Sequence, residues 1–431
     1  MNKRKIINIM EREMVVALGC TDPIAISYAA AAARKLASNG EIKKISVILS
    51  KSIIKSAASV IIPGTKVNGV KMAAVLGALF GDANKKLEVL EGINDDSVKE
   101  AKQFINTKQC EVSEVDNDII LYLEVILETT NDIARTILID DYSNWVYAEL
   151  NGEILFDKRT KQTIEEVDEI ESDLTTEEIW EFITTAELDE GFDVVRQSIL
   201  LNEKIANEGL LHEYGLQVGK TLKDRLNDEK AISNMTSYAV SLTAAGADAR
   251  MSGAPLPVMS NSGSGNQGIT ATMPVVAIAK FINADNDKRL RAVALSNLIT
   301  IYAKEYFGRI SALCGLTIAA MGASCGVTYL LGGGFGEIEG AIQNMAGNTI
   351  GMFCDGAKPG CALKVSTSVQ AAMQAAYLAI KGINIKESDG IIEQDVDDTL
   401  KNIGKMSTQC SYLINKVIVD IMMHKKEESN K

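Results

Sequence analysis

The sequence predicts an α+β protein. A large all-helical domain, residues 1–40 and 165–431, is interrupted by a smaller inserted α/β domain, residues 41–164, that carries an antiparallel sheet. Three observations predict it. The chain has 431 residues, 46% of them apolar, whereas single hydrophobic cores rarely grow beyond about 250 to 300 residues. Between Glu111 and Leu150, short runs rich in β-branched and aromatic residues are separated by turn residues, as in sheet strands. Beyond a charged, apolar-poor connection from Lys158 to Glu178, apolar residues recur at helical spacing nearly to the C-terminus.

Taken in order, Met1 to Ala17 carries apolar residues at helical spacing. Asp22-Pro23 starts a second helix running to about Leu36, because Asp can cap and Pro at the first helical position has no N–H to lose. Gly19-Cys20-Thr21 therefore sits in the break just ahead of a helix N-terminus. Ile45 to Leu49 reads as a strand, and Val70 to Phe80 and Ser97 to Ile105 as helices. Glu111 to Val115, Ile119 to Thr129, Ala134 to Ile139 and Trp145 to Leu150 read as strands. Ile179-Trp180 is the first apolar marker of the second helical part. Helices are expected over Phe192 to Ala206, Leu216 to Leu226, Ala231 to Ala249, Ala294 to Tyr306, Ile342 to Met352, Val365 to Ile380 and Ser407 to Met423.

A net charge of −13 argues against nucleic acid, which is bound through Lys/Arg-rich faces. The expected partner is a small-molecule substrate. Met251 to Ala279 and Ile310 to Gly336 are long uncharged stretches, but they are rich in Gly, Ser, Thr and Asn and lack the composition of a membrane span. Closely packed buried helices and loops around a site are the better reading, with no membrane. The basic N-terminus runs into Glu11-Arg12-Glu13 without an apolar signal core. Seven cysteines in so long a chain fit a reducing cytoplasm better than a disulfide framework. A homo-oligomer is expected.

Cys354-Asp355-Gly356-Ala357-Lys358-Pro359-Gly360-Cys361 sets two cysteines on one Gly/Pro turn, and Cys314 lies at the head of an Ala/Gly-rich helix. Thiolates suit iron–sulfur clusters and zinc. Zinc sites favour closer Cys pairs and often histidine, and only His212 and His424 are present. Ordinary buried cysteines are the competing explanation. Cys20, in Gly19-Cys20-Thr21-Asp22-Pro23, lies where a helix's positive end favours thiolate, which suits a general base or nucleophile; a buried small hydrophobe is the alternative. Cys110, Cys325 and Cys410 read as structural.

Ser260 to Gly268 is a polar, Gly-rich loop leading into a helix, with Ser and Asn side chains able to hold a carboxylate or amino group. It is neither a Walker loop nor a dinucleotide fingerprint. Gly332 to Gly336 reads as a helix-terminating turn. His212-Glu213 is a weak acid–base candidate, since adjacent helical residues point apart. Lys364 could pair with a substrate carboxylate or be merely solvated.

Across these residues the chain resembles L-cysteine desulfidases of the iron–sulfur type, a family similar to the α domain of iron–sulfur L-serine dehydratases. The resemblance runs over nearly the whole length. It rests on Gly19 to Pro23, on Asn261 to Gly268 and on Cys354 to Lys364. It implies a [4Fe–4S] cluster in the helical domain held by Cys314, Cys354 and Cys361, with Cys20 as the proton-abstracting base. It further implies substrate binding by Thr21, Asn261, Ser262, Ser264, Asn266 and Lys364, and cleavage of L-cysteine to pyruvate, ammonia and hydrogen sulfide. L-serine as substrate, and a non-enzymatic metal-binding or membrane protein, are the alternatives.

Overall fold

The computed structural model describes residues 3–115, 119, 121–140, 142, 144–159, 174–226, 235–308 and 311–423. The class is mixed α+β, as expected. The chain clusters into two compact units: one of Met1–Ala17, Val167–Cys354 and Pro359–Ser411, the other of Leu18–Glu166, Asp355–Lys358 and Tyr412–Lys431. The expected boundary at residues 164 and 165 lies outside the described residues.

The second unit is built on a six-stranded sheet in the order Gln109–Glu114, Ile42–Leu49, Tyr122–Thr129, Ile133–Ile139, Trp145–Leu150, Glu153–Asp157. Its pairings are antiparallel except the first, where Lys44 to Leu49 run parallel to Gln109 to Glu114. A parallel pair needs a long crossover, and the helices Val70–Phe80 and Asp95–Thr107 lie within that connection. The helix Thr21–Leu36, whose second half is buried through the run Ala29 to Ala33, packs on the strands Tyr122–Thr129 and Ile133–Ile139. Thr136 fastens it there, donating to the Ala29 carbonyl at 3.0 Å.

That helix begins two residues earlier than its Asp-Pro signal implies. Cys20 is the residue that caps it, in extended conformation (φ −93°, ψ 133°) and with no capping side-chain bond. Asp22 does not cap because its carboxylate is engaged elsewhere, and Pro23 is tolerated because first-turn N–H groups have no helical acceptor anyway. The chain enters through Gly19, whose φ is +65° and where a Cβ would lie 2.1 Å from the Pro63 ring. Gly64 also has positive φ (+73°) but no atom within 4 Å of an added Cβ. Gly64→Ala should therefore cost about 1–2 kcal/mol from conformation alone. Gly19→Ala, which must also displace Pro63, should cost more in urea denaturation; equal losses would contradict the packing argument.

The first unit is helical. Asn286–Phe307 packs on Leu316–Leu330, which in turn meets Gly265–Phe281, Phe335–Thr349 and Cys361–Ala379, while Met235–Met251 lies against Asp193–Leu211 and Val218–Leu226. The two uncharged stretches contribute Gly265–Phe281, buried from Gly265 to Ala279, and Leu316–Leu330, buried at all but Tyr329. Their lack of charge reflects burial in a protein core. Among the described residues no helix is long and apolar enough to cross a membrane.

Candidate active site

Within the helical unit, Leu313 and Phe353 form an isolated antiparallel bridge. The Cys314 N–H donates to Met352 O and the Cys354 N–H to Ala312 O, both at 2.7 Å. This bonding makes Leu313 and Phe353 directly opposed partners. Because side chains alternate along a strand, Cys314 and Cys354 share the other face as diagonal neighbours, which stand roughly 7–8 Å apart between Cα atoms. Cys361 opens the helix Cys361–Ala379, with Gly360 as its cap. None of the seven cysteines is in a disulfide.

Cys314 lies within reach of the other two thiols. Burial pushes the Cys314 thiol up to about 12, and the neighbouring Cys354 and Cys361 add to this; the Leu316 N–H and the Lys364 ammonium act the other way. Lys364 Nζ donates to Phe353 O at 2.7 Å, beside Cys354. A bound cation would favour the thiolate form of Cys314 over the thiol that burial imposes. Among the described residues no three His, Cys, Asp or Glu side chains stand close enough to share a single metal ion. A multi-iron cluster takes each thiolate at a different corner, so diagonal ribbon spacing fits such a group better than one ion. The all-sulfur donor set suits iron–sulfur chemistry equally.

The polar loop lies in the same unit, fixed from both sides. Ser260 and Ser262 N–H groups donate to Val15 O and Glu13 O, each at 2.9 Å. Ser262 (φ +47°) and Gly263 (φ +81°) turn the chain back, and Asn261 and Ser264 exchange backbone bonds. Asn261, fully buried, donates through Nδ2 to Asn297 Oδ1 at 3.0 Å and accepts from Ser262 Oγ at 3.0 Å. Ser264 caps the helix Gly265–Phe281, accepting from the Gln267 N–H. Asn266 is buried, and among the described residues its Oδ1 has no hydrogen-bond partner.

Gln267 joins the loop to the cysteines. Its Nε2 donates to Asn261 O at 3.3 Å, and a Cβ on Gly315, next to Cys314, would lie 2.4 Å from its Oε1. A side chain at 315 would push the Gln267 tip aside. The buried Lys304 brings Nζ to 3.8 Å from the same point. Cys314, Cys354, Cys361, Lys364 and the loop are thus gathered in one unit.

The sheet-containing unit positions Cys20, which is buried, as is Asp22. The Cys20 thiol donates to Asp22 Oδ2 at 3.3 Å, and the Tyr142 hydroxyl donates to Asp22 Oδ1 at 3.2 Å. Thr21 bonds the same hydroxyl. His212 and Glu213 do not pair: His212 Nε2 is 3.6 Å from Glu208, and Glu213 faces Lys220. Sequence reasoning missed Gln267, Asn297, Lys304 and Tyr142 as site residues. Gln267 was visible in the loop motif, whereas the other three carry no local signature.

The family model described as serine dehydratase alpha chain matches residues 84–420. The chain belongs to the serine dehydratase alpha chain family. The match spans the polar loop and the three gathered cysteines, while Cys20 lies upstream of it. Relatives of this family member include a UPF0597 protein of Oleidesulfovibrio alaskensis, 41% identical over 97% of this chain and 98% of its own length. A UPF0597 protein of Phocaeicola vulgatus is 41% identical over 98% of each chain. One of Aeromonas hydrophila is 38% identical over 98% of this chain and 96% of its own.

Proposed function

We propose that the chain is an iron–sulfur lyase that cleaves L-cysteine to pyruvate, ammonia and hydrogen sulfide, with a [4Fe–4S] cluster on Cys314, Cys354 and Cys361 and with Cys20 as base. The observation that carries the reading is the short ribbon that sets Cys314 and Cys354 on one face, with Lys364 bonded to Phe353 O beside Cys354 and Gln267 of the buried-amide loop against Gly315. The serine dehydratase alpha chain match supports a lyase. When bound, the cluster would supply an open iron as Lewis acid toward the leaving sulfur and the carboxylate.

The chain's own residues do the rest. Asn261, Ser262, Ser264, Asn266 and Thr21 bind the amino acid, with Asn266 Oδ1 suited to accept from its ammonium. Lys364 offsets the negative charge of thiolates and carboxylate. Cys20, as thiolate, takes the α-proton; the freed electron pair forms the C=C bond as the C–S bond breaks and sulfur leaves with its pair. The aminoacrylate released then takes up water to give pyruvate and ammonia. The enzyme acts as a cytoplasmic homo-oligomer.

L-serine is the second reading, favoured by the family's description. Turnover of both amino acids on anaerobically reconstituted protein decides between them. We expect kcat/KM for L-cysteine to exceed that for L-serine by about tenfold or more, at least 1.4 kcal/mol in the barrier. A strong preference for serine would overturn the choice of substrate.

A further inference from the structure

Tyr142 lies in the turn between the strands Ile133–Ile139 and Trp145–Leu150, 120 residues from the carboxylate it contacts. Asp22 accepts from both residues: Oδ1 takes the Tyr142 hydroxyl and Oδ2 the Cys20 thiol. A carboxylate held at one oxygen cannot rotate its other oxygen away. An acceptor aimed at a thiol stabilises the protonated sulfur, which opposes the thiolate preference of the helix end. That opposition has a use. The α-proton of an amino acid is weakly acidic, so a more basic sulfur removes it better.

We infer that Tyr142 is a positioning residue, which fixes the Asp22 carboxylate so that Oδ2 receives the proton carried by Cys20. The inference rests on the reading of Cys20 as base only for its catalytic consequence, since the arrangement itself concerns the thiol's proton affinity. Burial, with Asp22 and Cys20 nearby, holds the Tyr142 hydroxyl well above its ordinary titration range, so it stays a donor at working pH. Asp22, from its own helix, and Tyr142, from the turn, both face Cys20.

The test is the pH dependence of iodoacetamide alkylation at Cys20, followed by mass spectrometry of its peptide in wild type, Tyr142→Phe, Asp22→Asn and the double variant. The fully buried Cys325 peptide, and that of Cys110, whose thiol burial pushes up to about 11, serve as folding controls. Tyr142→Phe should lower the midpoint by about half a unit, one hydrogen bond's worth, and Asp22→Asn by about one unit or more. The double variant should match Asp22→Asn, because Tyr142 acts through that carboxylate. An unchanged midpoint in Tyr142→Phe, or fully additive shifts with the controls still protected, would overturn the inference. If the shifts occur but turnover with L-cysteine is unaffected, positioning stands and the base assignment of Cys20 falls.

Discussion

Cys354→Ala is expected to bind essentially no iron after anaerobic reconstitution and to lose turnover by more than about a hundredfold. Removing a mere supporting partner of a metal ligand already costs roughly 10–100-fold, and a ligand matters more than its support. The geometry makes the loss specific. Cys354 shares a ribbon face with Cys314, and Lys364 bonds the Phe353 carbonyl next to it. Cys325 is the control: it is fully buried in the core, with its thiol turned to the Ile338 carbonyl at 3.9 Å. Cys325→Ala should keep its iron even if it loses some stability. Iron retained in Cys354→Ala would contradict the ligand assignment.

Cys20→Ala should behave in the opposite way. Iron content and absorption stay at the wild-type level, while kcat falls by about 10²–10⁴-fold, the usual share of a positioned acid–base group. The reason is that Cys20 belongs to the Asp22–Tyr142 arrangement of the sheet-containing unit, whereas Cys314, Cys354 and Cys361 belong to the helical one. The measurement pairs an iron assay with single-turnover pyruvate formation. Turnover that survives the substitution removes Cys20 from the base role.

Much of the fold is legible where local signals are strong. Val70–Phe80 and Trp145–Leu150 fall where the sequence puts them, because a compact apolar run and an alternating aromatic run are each unambiguous. The strand Glu153–Asp157 lies beyond the expected elements although its signal is present: Asn151 (φ +53°) and Gly152 (φ +85°) form the Asn-Gly hairpin turn that joins it to its neighbour. The helix Asn286–Phe307 begins eight residues before the expected Ala294, with a charged first turn, and its start is marked by Asp285, which accepts from the Lys288 N–H at 2.7 Å. From Ala292 to Lys304 that helix is buried all round, so it has no apolar stripe for periodicity to find.

The site divides along the same physical line. Three cysteines and a glycine-rich loop announce themselves, because turn residues and thiols are rare and their chemistry is distinctive. Asn297 and Lys304 do not, since they look like polar breaks in an ordinary helix until folding brings them beside Asn261 and Gly315. Tyr142 is further out of reach, for a contact made across 120 residues leaves no spacing to read.

The most direct test of the central claim is iron and acid-labile sulfide content, with the visible absorption spectrum, of protein purified and kept without oxygen. The cluster reading predicts about four irons and matching sulfide per chain with a broad thiolate-to-iron band. Protein that stays colourless and iron-free after anaerobic reconstitution would contradict it, and would return Cys314, Cys354 and Cys361 to the role of core residues.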